Sequence, residues 1–135
     1  MSYSVILPTL NECGHIEKLI IEISKIFINK KKFEIIIVDD NSSDGTIQII
    51  KKLRKKKNFL KFILRKNKKK SLPNSINDGI RKSKYKYLIW LDADFQHPPV
   101  FIKDLIKKSL FTDVVICSRF LKQSKRYFYK KKSIK

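Results

Sequence analysis

Three short apolar runs in this chain end in acidic residues, and no other feature constrains its fold as much. SVIL (4–7) runs into PTLNE (8–12), FEIIIV (33–38) into Asp39 and Asp40, and YLIWL (87–91) into Asp92 and Asp94. Continuous apolar runs of this kind mark strands that are covered on both faces, as in a parallel sheet. FLKFIL (59–64) and DVVIC (113–117) read as further strands.

Between the runs the period changes. Residues 15–28 place Ile16, Leu19, Ile20, Ile23, Ile26 and Phe27 at helical spacing. Residues 46–56 follow the turn cluster NSSDG (41–45), which can cap a second helix. Residues 73–83, with Ile76 and Ile80 four apart, and residues 98–109, opening on Pro98 and Pro99, read as two more. Strand and helix in alternation predict an α/β fold, Rossmann-like, with a mostly parallel sheet and helices on both faces. After Ser118 the pattern stops, so the architecture is expected to break off after its fifth strand. The expected division is one domain over 1–119 and a basic, aromatic tail over 120–135.

Composition removes several alternatives. At 135 residues, 42% hydrophobic and 33% charged, the chain fits one folded domain. No run of about 18 apolar residues exists to span a bilayer, and MSYSVILPTL lacks the features of a secretory signal. Cys13 and Cys117 are too few for a disulfide framework and fit a reducing interior. Gly14, Gly45 and Gly79, the only three glycines, stand alone, so neither G-x-G-x-x-G nor a P-loop can be built. The net charge of +20 attracts polyanions: nucleic acid, anionic lipid or phosphate-bearing substrates. The excess is mostly lysine, which also suits plain solvated faces.

Ligands of open α/β sheets bind beyond the carboxyl ends of the strands. Glu12, Asp39, Asp40, Asp92 and Asp94 are all expected on that rim, where unpaired carboxylates repel one another. A divalent cation relieves such repulsion. Asp92 and Asp94, alternate residues leaving one strand, can aim at one hard ion, Mg²⁺ or Mn²⁺, which keeps sites for substrate phosphates.

VILPTLNE (5–12), IIIVDDNSSDGT (35–46), LIWLDADFQHPP (88–99) and DVVICSR (113–119), in this order, resemble the inverting family-2 glycosyltransferases of GT-A fold. Within that family the likeness is greatest to the polyprenyl-phosphate (dolichol-phosphate) mannose synthases, of whose longer catalytic domain this chain resembles the donor-binding half; the alternative to an active transferase is a fragment that binds the donor and transfers its sugar only weakly. The resemblance implies that Pro8, Leu10, Glu12, Val38 and Asp40 line the nucleotide pocket and that Asp39 supports its turn. It implies that Asp92, Asp94 and Gln96 hold the metal, with Ala93 against the nucleotide and Arg119 on the phosphates. Asp92 and Asp94 are then the catalytic pair. The implied partners are a nucleotide-sugar donor, GDP-mannose before UDP-glucose, and a polyprenyl phosphate acceptor. The implied location is cytoplasmic, peripheral on the cytoplasmic face of an anionic membrane, beside a missing C-terminal portion or a membrane subunit. The pattern is not complete. Leu10 stands where the family commonly has Tyr, residues 68–77 lack its glycines, and Cys117 replaces the Gly before S-R.

Plainer readings stand beside these. His97 reads as a loop residue, His15 as a cap or surface residue, and Trp90 as core. Cys13 and Cys117 read as inert thiols, although both sit at strand ends. A nucleic-acid binder would use the lysine clusters with Tyr127, Phe128 and Tyr129. Against it, rim carboxylates repel phosphate in the absence of metal. A phosphoacceptor receiver domain would need its acidic pair after the first strand, which here ends in PTLNE. The same tail aromatics and lysines could also settle on an anionic leaflet.

Overall fold

The computed structural model describes residues 1–28, 32–118 and 120. The elements run β1 (Tyr3–Thr9), α1 (Ile16–Phe27), β2 (Phe33–Asp39), α2 (Thr46–Arg54), β3 (Leu60–Leu64), α3 (Leu72–Lys82) and β4 (Tyr87–Trp90). A 3₁₀ turn (Pro99–Phe101) then leads into α4 (Ile102–Lys108). All strand pairs are parallel, in the order β3-β2-β1-β4. The expected α/β architecture is therefore the observed one, with most element ends displaced by a residue or two and the last helix opening as a 3₁₀ turn, so that α4 starts at Ile102 rather than at residue 98.

Alternation of side chains along β1 divides the core in two. Val5 and Leu7 point to one face, where they meet Ile35 and Ile37 of β2 and the apolar stripe of α1, Leu19, Ile20 and Ile23. Ile50 and Leu53 of α2 and Ile102 of α4 close the same layer. Ile6 points to the other face and packs with Ile36 and Val38. Here α3 comes so close that a Cβ on Gly79 would stand 2.5 Å from Ile6 Cγ2. Helices thus cover both faces, as the apolar runs require. Pro8, which has no N–H to donate, falls two residues beyond the last β1–β4 pair, Ile6 with Trp90.

Two expectations are corrected here. Residues 113–117 form no strand; Val114 and Ile116 are exposed and belong to no ladder. A strand takes most of its stability from a neighbouring edge, and β propensity without a ladder does not make one. The sheet accordingly has four strands among the described residues. Trp90 is not core. Leu88 and Trp90 lie on the α3 face, but α3 covers β1 and β2 rather than β4, so Trp90 remains 50% exposed.

Candidate functional site

The topology itself locates a site. From β1 the chain steps outward through β2 to β3, then returns to the opposite side of β1 with β4. The reversal opens a crevice between the carboxyl ends of β1 and β4, where ligands of open parallel sheets bind. The loops at this crevice are residues 10–15 and 91–98, carrying Glu12, Asp92 and Asp94.

Hydrogen bonds fix the first loop to the turn after β2. Asn11, in the left-handed region at φ 59°, gives its N–H to Ser42 Oγ and accepts the Ser43 N–H. Glu12 donates its N–H to Thr46 Oγ1, and Cys13 donates its own to Asp44. Asp44 also accepts the Thr46 N–H, which begins α2 behind the left-handed Gly45. Desolvation works to raise the Asp44 carboxyl, but the Thr46 hydroxyl, which donates to it at 2.6 Å, and the Cys13 and Thr46 N–H groups outweigh it and hold it well below the ordinary carboxylate range. His15 Nδ1 lies 3.1 Å from Glu12 Oε2. The loop after β4 is joined to the same corner: Phe95, buried and left-handed at φ 63°, meets the His15 ring edge-on and the Lys18 ammonium.

The carboxylates do not form one repelling cluster. Asp39 is fully buried and accepts from Thr9 Oγ1, Ser42 N–H and Ser42 Oγ. Asp40, 6% exposed, accepts from Arg65, Ser71 N–H and Ser75 Oγ. Protein donors, the Arg65 guanidinium among them, relieve the charge of this pair. Asp92 and Asp94 remain only partly buried. Asp92 Oδ2 lies 3.4 Å from His97 Nδ1, and Asp94 Oδ1 accepts the Gln96 N–H. Among the described residues no three His, Cys, Asp or Glu side chains form a closed metal cage. Asp92 and Asp94 are carboxylates of one loop left partly exposed, the donor type that a hard divalent cation takes while keeping most of its coordination for water and diphosphate oxygens.

Beside the crevice lies a cavity of about 280 Å³, lined by Pro8, Thr9, Leu10, Asp40, Lys70, Ser71 and Leu72. Of the anticipated pocket residues it gathers Pro8, Leu10 and Asp40. Val38 and Ala93 are buried, Val38 within the α3-face core, while Gln96 is exposed beside Asp94. Arg119 lies outside the described residues, as does the tail from 121 onward. A larger groove of about 620 Å³ follows the outer edge of β3 and is lined by Arg54, Lys57, Lys61 and Lys82. It holds no carboxylate and belongs to a different part of the molecule. Cys13 and Cys117 are free and exposed. A hydrogen bond to Asp44 pushes the Cys13 thiol up, and partial desolvation of the sulfur, with the Asp104 charge, does the same to Cys117 although the residue as a whole is exposed, so neither is activated.

Arg65, Ser71, Ser75 and Lys70 also build this region, and sequence patterning alone does not single them out. One signal was available. Only five of the 32 basic residues are arginine, and Arg65 follows directly on a strand. Where lysine is the default, an arginine marks a place that needs a planar fork.

A parallel α/β sheet with a partly exposed acidic pair at its switch point and a cavity alongside defines a Rossmann-like ligand-binding protein. The chain belongs to glycosyl transferase family 2, whose pattern matches residues 4–135. It is 33% identical over 126 residues to the dolichol-phosphate mannosyltransferase of Pyrococcus furiosus, covering 93% of this chain and 35% of that protein. Against the enzyme of the same name from Saccharomyces cerevisiae it is 33% identical, covering 79% of this chain and 40% of that one. The chain therefore spans between a third and two-fifths of these relatives' length. Among solved structures, S. aureus TarS 1–349 in complex with UDP-GlcNAc matches with TM-score 0.62 and 28% identity, over 78% of this chain and 32% of that one. A mannosyltransferase from Pyrobaculum calidifontis, in complex with GDP-Man and Mn²⁺, shares the fold with TM-score 0.66 and 23% identity, over 79% and 32% of the two chains. The fold is that of the GT-A glycosyltransferases.

Proposed function

We propose that this protein binds a nucleoside-diphosphate sugar, GDP-mannose in preference to UDP-glucose, and transfers its hexose to a polyprenyl phosphate with inversion. The observation that carries the reading is the division of the rim carboxylates. Asp39 and Asp40 are consumed by protein donors, whereas Asp92 and Asp94 stay partly open at the switch point. The relatives named dolichol-phosphate mannosyltransferase support the substrate pair.

In this reading the cavity between Leu10 and Leu72 takes the nucleoside, and the diphosphate extends toward Asp92 and Asp94. These two carboxylates, with Gln96, would hold Mg²⁺ or Mn²⁺, which when bound neutralises charge on the departing diphosphate. Arg119 would add a charge-assisted donor to the phosphates. A polyprenyl phosphate oxygen, already anionic near neutral pH, attacks the anomeric carbon. The bond from that carbon to the donor phosphate oxygen breaks, and the nucleoside diphosphate leaves with the electron pair. No strong general base is needed. The corresponding location is the cytoplasmic face of a membrane, where such an acceptor presents its phosphate.

The test is transfer of radiolabelled mannose from GDP-mannose to a polyprenyl phosphate in detergent. A lipid-linked product of inverted configuration, lost in Asp94→Ala, is expected. A folded wild type that gives hydrolysis only, or transfer unaffected by Asp94→Ala, contradicts the proposal.

A further inference from the structure

Arg65 is 4% exposed and is not among the residues lining the nucleoside cavity, yet its guanidinium reaches the segment that forms one wall of it. Nη1 donates to Asp40, to Ser75 Oγ at 3.0 Å and to the Ser71 carbonyl at 3.3 Å. Nη2 donates to the Lys69 carbonyl at 3.4 Å, and Nε to Asp78 Oδ2 at 3.1 Å. Asp40 in turn accepts the Ser71 N–H at 2.9 Å. The ion pair therefore grips Ser71 at both of its backbone groups, N–H by the carboxylate and C=O by the guanidinium. Lys70 and Leu72, on either side of Ser71, line the cavity that Leu10 also lines.

We propose that Arg65 is a positioning residue for donor binding: with Asp40 it clamps Ser71, and so holds the Lys70–Leu72 wall at the spacing the nucleoside needs. This deepens the function proposed above and rests on it. Ser71 caps α3 and Leu72 begins it, but residues 66–70 before them form no strand or helix of their own, so the angle at which the chain enters the cap is left to side chains. A family-like glycine loop is absent here, so the wall's shape is imposed by side chains. Lysine cannot replace the fork, since one ammonium on a flexible stem cannot span acceptors on Asp40 just after β2, on α3 and on the loop that leads from β3 into it. Asp78 holds the far side of the guanidinium. Burial works to raise its carboxyl, but Lys68 and Arg65 outweigh that and keep it below the ordinary range.

The experiment compares wild type, Arg65→Lys and Ser75→Ala by nucleotide-sugar calorimetry and by amide hydrogen exchange without ligand, below each melting temperature. The clamp predicts that folded Arg65→Lys binds GDP-mannose about tenfold more weakly, with faster exchange at the Ser71 amide and unchanged exchange in β1 and α1. Ser75→Ala, the milder change, should weaken binding about threefold with the same local signature. A purely structural role would lower the melting temperature and leave the affinity of folded protein unchanged, and that result overturns the proposal. Should Arg65→Lys fail to fold, Ser75→Ala decides, and wild-type affinity with wild-type Ser71 protection overturns it. If wild type binds no nucleotide sugar, the reading of the cavity fails. Ser71 exchange still judges the clamp: acceleration in the variants supports it and no change overturns it.

Discussion

Glu34 shows what a single buried charge does in this molecule. It accepts from Ser4 Oγ, the Lys84 N–H and Lys61 Nζ, each at 2.6 Å, and so joins β1, β2, β3 and the chain entering β4. Burial works to raise its carboxyl, but the bonds from Lys61, Ser4 and Lys84 outweigh burial and hold it low. Because the folded value is depressed, its stabilisation is fully present above the unfolded value of about 4.3 and is lost as pH falls through the folded value. Urea midpoints should therefore drop between about pH 5 and pH 3 more steeply in wild type than in Glu34→Gln, which should be weaker at neutral pH. Parallel profiles would remove Glu34 from the account. At this scale the sequence is only partly informative. The acidic residues are visible, but which of them are already paired depends on Arg65, Thr9, Ser42 and Ser75, whose approach requires the folded chain.

At the scale of elements, the contact between α3 and the sheet is the tightest and the most testable. Glycine inside a helix ordinarily costs up to about 1 kcal/mol relative to alanine. Here Ile6 Cγ2 at 2.5 Å and Val38 Cγ2 at 3.3 Å occupy the space a Cβ would take, and both belong to a close-packed layer. Overpacking of this kind costs about 1–3 kcal/mol. Gly79→Ala should thus lower stability by a net amount of about 1 kcal/mol, measured as a lower urea midpoint at unchanged slope. A gain would mean that α3 stands farther from β1. The helices and the first four strands were legible because each repeats its own period: three- and four-residue steps in α1, continuous apolar runs in β1 and β2. Residues 113–117 carry an equally apolar run and still form no strand, because a ladder needs a second edge that local sequence does not supply. Trp90 fails for the related reason that a residue's burial is decided by what crosses over it.

Over the whole molecule, two opposing surface properties predict its behaviour. Leu88 and Trp90 on β4, with Phe111, Val114 and Ile116, expose apolar area that favours association. The net charge of +20 opposes it. Sedimentation should show self-association that strengthens from about 0.05 M to about 0.5 M salt as the repulsion is screened, and Trp90→Ser should reduce it. A monomer at every salt concentration would show that this surface is inert. The donor site depends on a different property, the convergence of the β1 and β4 loops at the switch point, with Asp92 and Asp94 as its open carboxylates. The most direct test is calorimetric titration of GDP-mannose into the wild-type protein with Mn²⁺ and again in excess EDTA. Binding at least tenfold tighter with metal, about 1.4 kcal/mol or more, is expected, and Asp94→Ala should abolish the difference. Equal affinity with and without the ion would contradict the assignment of this acidic pair.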